Sequence, residues 1–203
     1  MFSLIFSMFT FSLSMSISPG LVNITILSSS MNYGLKQTFA FISGATIGFT
    51  ALLAAVCFGL YQVISLYPIL LNIITVLGTG LLVWMGWNIA RAQGESIQTD
   101  QLELPKAPSF MQGALLQWLN PKAWIAAVSG TALFSASHNA LYLFLFIFIY
   151  FVVCYLSLLI WGYAGQKLAV FLNQGSRMRV FNMVMGVLLM FIALQMSWSH
   201  FYA

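Results

Sequence analysis

The sequence predicts an all-α integral membrane protein whose six transmembrane helices form two inverted three-helix repeats, with helices 1 and 4 broken. The chain is 61% hydrophobic and only 5% charged, a balance that requires lipid as the main solvent. Six apolar segments are long enough for spanning helices, which need about 20 residues each. Helix-start signals interrupt the first and the fourth of these segments.

These segments leave little of the chain for a soluble part, so we expect a single membrane transport domain over residues 1–203. Its first half covers about 1–92, a polar cytoplasmic connection about 93–108, and its second half about 109–203. The spans are expected at about 4–28, 38–60, 68–90, 110–136, 140–165 and 180–198.

Segment 1 carries the triplet Ser18-Pro19-Gly20 inside an uncharged run from Met1 to Leu35. Ser is a preferred N-cap, and Pro is favoured at the first helical position because it has no N–H to leave unpaired. A second half-helix is therefore expected to begin at Pro19. No basic stretch precedes the segment and no small-residue cleavage site follows it, so we expect it to stay in the protein.

Segments 2 and 3 show packing and interface signals. Ala40, Gly44 and Gly48 recur at every fourth position of segment 2. Such a stripe lets helices approach closely, and we expect it to pack inside the monomer rather than at a dimer seam. Trp84 and Trp87 lie near the end of segment 3, where an interfacial aromatic belt is expected, although Trp84 equally fits a lipid-facing position.

Segment 4 carries Asn120-Pro121-Lys122, which repeats the helix-start pattern of segment 1. Lys122 lies twelve residues into the segment counted from Phe110, or about 18 Å deep if helical. A central Lys costs about 2.5–3.5 kcal/mol on insertion, so such residues usually face a cavity and have a function. In the alternative, a tilted helix lets the Lys122 stem reach a membrane interface.

Lys122 has no acidic partner in the membrane, because Glu95, Asp100 and Glu103 all lie in the polar third connection. Backbone carbonyls are therefore its expected partners. In an inverted repeat the two breaks can meet near the midplane, where N–H groups suit a carboxylate and carbonyls suit an ammonium. An amino acid fits both, whereas a small anion would need only the N–H groups and Lys122.

The predicted substrate site has two walls, with Gln117 as a further candidate for lining the same cavity. One wall is Pro19, Gly20 and Asn23, and the other is Asn120, Pro121 and Lys122. Paired broken helices point to a transporter that works by alternating access. A passive small-solute channel or a non-transporting membrane scaffold is the alternative, because broken helices also line pores.

Segments 5 and 6 supply no catalytic set. Cys154 in segment 5 and Cys57 in segment 2 show no CxxC-type clustering, so neither a disulfide nor a metal site is expected, and no cofactor. His138 and His200 lie in or beside outward connections. The interpretation of the chain as an intramembrane enzyme is therefore not favoured. Asn182 in segment 6 is expected to hydrogen-bond between helices.

The basic residues predict the orientation. Six of the seven lie in the first, third and fifth connections: Lys36, Arg91, Lys106, Lys167, Arg177 and Arg179. Lys/Arg bias places these connections in the cytoplasm and both termini in the periplasm. The net charge of +4 needs no nucleic acid to explain it. The lipid bilayer and a small-molecule substrate are the expected partners, and a homodimer stays open.

Several motifs occur in a recognisable order. They are Ser18-Pro19-Gly20, Tyr33-Gly34-Leu35-Lys36, Gly44-Ala45-Thr46-Ile47-Gly48, Leu82-Val83-Trp84-Met85-Gly86-Trp87, and Phe110-x-x-Gly113 followed by Leu119-Asn120-Pro121-Lys122-Ala123. Over nearly the whole chain this order resembles the lysine-exporter (LysE/RhtB) family of amino-acid exporters. The resemblance implies a bacterial inner-membrane protein that exports amino acids or related small metabolites.

The chain departs from that family's pattern at two places. Family members usually carry a second Pro after the Gly, whereas here Leu21-Val22-Asn23 follow, and only Asn23 is polar. They often place an acid in the second helix, where this chain has Thr46 and Thr50. A carboxylate-based proton relay within the membrane is therefore not expected, and different coupling, a different substrate and lost transport all stay open.

The charge distribution makes a prediction about topology. Reporter fusions at Asn139 and after Ala203 should report the periplasm, and fusions near Gln98 the cytoplasm, because the basic connections stay inside. Paired alkaline phosphatase and fluorescent-protein fusions measure this. A cytoplasmic signal from the C-terminal fusion would contradict the six-span arrangement or its orientation.

Overall fold

A computed structural model describes residues 2–59, 68–91, 107–134, 140–172 and 176–202. This part of the chain forms eight helices and no strand, which confirms the all-α prediction. The helices are α1 (Phe2–Ile17), α2 (Leu21–Tyr33), α3 (Leu35–Cys57), α4 (Pro68–Arg91), α5 (Phe110–Trp118), α6 (Pro121–Phe134), α7 (Ala140–Leu172) and α8 (Ser176–Tyr202). Outside the described residues lie Glu95, Gln98, Asp100, Glu103, Lys106, His138, Asn139 and Ala203.

Several of these helices are long and apolar enough to span a membrane. Among the described residues, α3 and the 140–170 part of α7 each qualify, and the bent pair of α1 and α2 could form a third span. The arrangement of six spans in two inverted repeats stays a prediction.

Three helix ends differ from the predicted spans. α2 reaches Tyr33 and α3 begins at Leu35, so only Gly34 separates the first two spans. Gly34 has a φ of 81°, a conformation that glycine adopts without strain. α7 continues to Leu172, past the predicted end at 165, because residues 166–172 include neither Gly nor Pro.

The second half-helix of the first segment begins after the triplet Ser18-Pro19-Gly20 and not within it. α1 ends at Ile17 and α2 begins only at Leu21, with a bend of 58° between them. The predicted start at Pro19 is therefore wrong. The Ser18 hydroxyl donates back to the Met15 carbonyl at 3.2 Å instead of capping α2. Ser side chains often bond to nearby backbone in this way, in competition with capping.

The second triplet starts a helix as predicted. α6 begins at Pro121, and the Asn120 Oδ1 atom accepts a hydrogen bond from the Lys122 backbone N–H at 3.1 Å. Asn120 is therefore the N-cap of α6, and Lys122 stands in its first turn.

The helices pack in pairs that correspond between the two halves. α1 and α2 pack on α7, while α5 and α6 pack on α3. α4 packs on α8, where a Cβ on Gly86 or Gly186 would meet the carbonyl oxygen of the other. Asn182 of α8 exchanges two hydrogen bonds with Asn32 of α2, at 2.8 and 3.1 Å, which confirms its predicted inter-helix role.

Three glycines set the close approach of α3 and α5. A Cβ on Gly48 would lie 2.6 Å from the Ala114 Cα, and Cβ atoms on Gly44 and Gly113 would meet main-chain carbonyl oxygens of the facing helix. The Gly44 and Gly48 part of the small-residue stripe therefore packs inside the monomer, as predicted.

Replacing Gly48 by Ala should destabilise the protein, because the new methyl group meets backbone that cannot move without shifting a helix. Overpacking of this kind costs about 1–3 kcal/mol. The matched control is Gly80→Ala in α4, where an added Cβ has nothing within 4 Å. Thermal melting in detergent should show a loss only for Gly48→Ala, and equal melting of the two variants would contradict the close packing.

Candidate functional site

Lys122 connects the two breaks. Its Nζ donates to the Ser18 carbonyl oxygen at 2.9 Å and to the Ser18 hydroxyl oxygen at 2.8 Å. The Pro19 carbonyl oxygen lies 3.5 Å from the same nitrogen. The predicted carbonyl partners of Lys122 are therefore confirmed. The Lys122 stem runs from α6 to the first break.

Gly20 leaves the space through which Lys122 reaches Ser18. A Cβ on Gly20 would lie 3.1 Å from the Lys122 Nζ and 3.3 Å from its Cδ. The backbone of Gly20 is extended, with a φ of −160°, which any residue can adopt. The need for glycine here is one of space beside the lysine side chain, not of backbone conformation.

The last three carbonyls of α1 receive side-chain donors. A helix end leaves its final carbonyls without backbone partners, and a membrane supplies none. The Met15 carbonyl accepts from the Ser18 hydroxyl (3.2 Å), Ser16 from the Asn23 amide (2.9 Å), and Ile17 from the Trp161 indole N–H (3.1 Å). The Ser18 and Pro19 carbonyls are left for the Lys122 ammonium.

The start of α2 is open to an anion. No side chain of the described residues caps it, and its first backbone hydrogen bond runs from the Ile24 N–H to the Gly20 carbonyl at 2.9 Å. The N–H groups of residues 21–23 precede that bond and lie at the positive end of the helix dipole. The start of α6 differs, because the Asn120 side chain already accepts from the Lys122 N–H.

A cavity of about 40 Å³ lies between the two breaks. That is room for a few water molecules and too little for an amino acid. Side chains with polar atoms make up much of its lining: Ser16, Asn23, Gln117, Asn120, Lys122 and Cys154. The cavity is therefore a partly open polar pocket between apolar helices, in a chain with few charges.

Two polar side chains present hydrogen-bonding atoms to this cavity. Gln117 lines it, and no hydrogen bond of its amide is found within the described chain. The Ser16 hydroxyl is buried beside the Tyr150 hydroxyl and the Cys154 thiol, without a hydrogen bond of good geometry. Water or a polar ligand in the cavity would therefore find hydrogen-bond partners in its walls.

Aromatic rings close the cavity on the side of the α1 N-terminus. Phe49 and Tyr150 line it, with ring centroids 4.5 Å apart. Tyr150 contacts Phe146 at 5.7 Å, and Phe146 contacts Phe134 at 4.7 Å. Phe11 of α1 packs edge-on against Phe134 at 5.9 Å. The four rings other than Phe11 are at most 8% exposed, so they close this side of the site to solvent.

Four of the six residues predicted for the site line the cavity: Gly20, Asn23, Asn120 and Lys122. Pro19 and Pro121 lie in the breaks beside it and are not among the lining residues. Gln117 lines the cavity, as its position one turn before Asn120 suggested.

α3 and α7 contribute lining residues that the sequence analysis missed. Phe49 comes from α3, and Tyr150, Cys154 and Leu158 come from one face of α7. These residues stand in apolar runs, where nothing in the sequence separates a cavity-facing position from a lipid-facing one. The spacing of the three α7 residues, four apart, is the only signal that they share a face.

The cysteines offer no metal site or crosslink in the described chain. Cys57 and Cys154 are both free thiols, and Cys57 lies 3.3 Å from the Thr131 hydroxyl oxygen. No group of three or more His, Cys, Asp or Glu residues comes together among the described residues.

Comparison with known proteins links this chain to a family. The family model described as LysE type translocator matches residues 13–199. The cysteine/O-acetylserine efflux protein of Salmonella choleraesuis (strain SC-B67) is 24% identical over 132 residues, covering 64% of this chain and 65% of that protein. A protein of the same name from Escherichia coli O1:K1 / APEC is 26% identical over 135 residues, covering 65% and 66%.

The chain thus spans slightly less than two thirds of the length of these curated relatives. No solved structure matches the chain significantly.

Replacing Asn23 by Leu should lower the melting temperature in detergent, because the Ser16 carbonyl loses its donor. An unpaired buried acceptor costs about 1–3 kcal/mol, and each kcal/mol shifts the melting of a chain this size by about 2–4 °C. Asn88→Leu, at an exposed position of α4, is the matched control and should melt like wild type. Indistinguishable melting of the two variants would contradict the role of Asn23.

Proposed function

The chain belongs to the LysE type translocator family, and we propose that it exports amino acids or related small metabolites across the bacterial inner membrane. It would act as a secondary transporter by alternating access. One observation carries the proposal: Lys122 of the second half is hydrogen-bonded to the break in the first half, beside a cavity lined by polar side chains. The site therefore depends on how the two halves meet.

The proposed substrate site keeps the two predicted walls. Pro19, Gly20 and Asn23 form one wall, and Asn120, Pro121 and Lys122 form the other. The substrate carboxylate would meet Lys122 and the open N–H groups at the start of α2. The substrate ammonium would meet the carbonyls at the end of α1. A zwitterion uses both ends of the break.

The charge of the cavity favours a neutral substrate side chain. Among the described residues, Lys122 is the one charged residue in its lining; the three acidic side chains of the sequence lie within residues 95–103, outside the described part. A basic side chain would bring a second cation beside Lys122, with no acid among the described lining residues to pair with it. The similar Salmonella and E. coli proteins are named for cysteine and O-acetylserine, which have small neutral side chains. We propose substrates of that class.

The proposed architecture has six spans, with both termini in the periplasm. The first half is α1–α2, α3 and α4, and the second is α5–α6, α7 and α8. The corresponding packing of the halves supports an inverted repeat. So does the mutual contact of Gly86 and Gly186, which lie in the third span of each half, where a two-fold axis would pass.

Alternating access requires two changes at this site. The cavity of about 40 Å³ must widen to admit an amino acid. The aromatic rings from Phe49 to Phe11 must also separate, because they close the side of the α1 N-terminus, which the proposed topology places outward. Rocking of one half against the other would do both around a fixed site.

The alternatives are less favoured. The family and the relatives are described as translocator and efflux proteins, which indicates a non-enzyme and gives a passive channel or scaffold no support. A homodimer stays open as a partner. It would need surfaces other than Gly44 and Gly48, which pack inside the monomer.

Replacing Lys122 by Ala should reduce export of L-cysteine at least about tenfold. A hydrogen bond to a charged group contributes about 1.5–3 kcal/mol, and about 1.4 kcal/mol corresponds to a factor of ten. Efflux of labelled L-cysteine from proteoliposomes measures the rate.

The matched control is Lys36→Ala, which removes an exposed lysine at the start of α3. It should export like wild type. Membrane insertion of both variants is checked by their yield and melting. An inserted Lys122→Ala variant that exports as fast as wild type would contradict the assigned role of Lys122.

A further inference from the structure

We infer that in the empty carrier Lys122 occupies the subsite that the substrate's amino group takes, so that substrate binding exchanges one ammonium for another. This inference rests on the proposed function and deepens it. The carbonyl end of α1 is then an amine subsite that always holds a cation, either Lys122 or the substrate amino group. Lys122 competes with the substrate amino group for this subsite and binds the substrate carboxylate once it is displaced.

The surroundings of the Lys122 nitrogen are those that a free amino group would need. An ammonium has three N–H donors. Three oxygens face this one: the Ser18 carbonyl at 2.9 Å, the Ser18 hydroxyl at 2.8 Å and the Pro19 carbonyl at 3.5 Å. The Ser18 hydroxyl donates its hydrogen to the Met15 carbonyl, so its oxygen is left to accept from the ammonium. A substrate ammonium has the same three donors.

Other acceptors at the end of α1 are already taken. The Ser16 carbonyl is held by Asn23 at 2.9 Å, and the Ile17 carbonyl by Trp161 at 3.1 Å. Among the described residues, the cavity lining contains no carboxylate. The Ser18 and Pro19 oxygens, at the break beside the cavity, are therefore the acceptors at the end of α1 that a substrate amino group could take, and Lys122 holds them.

The available space leads to the same conclusion. The Lys122 side chain fills the gap beside Gly20, where its Nζ lies 3.1 Å and its Cδ 3.3 Å from the position of an added Cβ. The remaining cavity of about 40 Å³ does not hold an amino acid. Withdrawal of the Lys122 head group opens both the oxygens and the volume that a substrate needs.

The open start of α2 provides the place to which Lys122 moves. A carboxylate bound at the N–H groups of residues 21–23 lies beside Gly20, within reach of the lysine that passes it. The carboxylate thus draws Lys122 off the α1 carbonyls while the amino group replaces it. A ligand needs both groups, because an amine alone must compete with a tethered ammonium at high effective concentration.

Binding of L-cysteine and of its decarboxylated counterpart, cysteamine, tests this. Both are measured as labelled ligands on purified protein in lipid nanodiscs with reductant present. Wild type should bind L-cysteine and bind cysteamine at least about tenfold more weakly. Lys122→Met vacates the amine subsite, so its cysteamine affinity should rise by about tenfold or more, while its L-cysteine affinity falls. Lys122→Gln, whose side chain is polar but shorter, should likewise raise the cysteamine affinity and lower the L-cysteine affinity.

Lys36→Met is the matched control and should leave both affinities unchanged, because Lys36 is exposed at the start of α3. If folded Lys122→Met or Lys122→Gln protein binds cysteamine no better than wild type, the inference is overturned while the proposed function stands. If wild type binds no L-cysteine but the variants gain cysteamine binding, the amine subsite stands and the proposed substrate is wrong.

Discussion

A helix that stops inside a bilayer leaves main-chain carbonyls that lipid cannot satisfy. α1 stops at Ile17, and its exposed carbonyls are paired by donors from three other elements. Asn23 reaches back from α2, Trp161 reaches in from α7, and Lys122 crosses over from α6. These hydrogen bonds attach the first break both to the helix that follows it and to the second half of the chain. The bonds that satisfy the break are also those that build the site.

The two breaks have similar sequences and opposite roles. Asn120 caps the helix after the second break with its own side chain, so that helix start is closed to a ligand. Gly20 has no side chain to cap α2, so the N–H groups of residues 21–23 have no side-chain partner in the described part of the chain. Gly20 also leaves room for the Lys122 side chain to pass. The first break therefore presents both polarities, carbonyls at the end of α1 and N–H groups at the start of α2. The second break supplies the Lys122 ammonium, which bonds to the Ser18 carbonyl just beyond the end of α1.

Much of this could be predicted from the sequence, for definable reasons. Helical segments follow from apolar runs, and the carbonyl partners of Lys122 follow because every carboxylate lies in one polar connection. The start of α2 could not be predicted, because Ser18 bonds back to Met15 rather than forward. Tyr150 and Cys154 were missed because α7 is an apolar helix of 33 residues whose inward face is chosen by packing alone.

The central claim is that a substrate carboxylate meets Lys122 between the two breaks. Solid-state NMR dipolar recoupling measures the distance between the carboxyl carbon of ¹³C-labelled L-cysteine and the ¹⁵N-labelled lysine Nζ in lipid. Lys122→Arg removes the Lys122 signal and assigns it. A contact pair places these nuclei about 4 Å apart, since N–H⁺···O⁻ bonds are about 2.7–2.9 Å long. Such a coupling, lost in Lys122→Arg, is the predicted result; saturated L-cysteine without it would contradict the site.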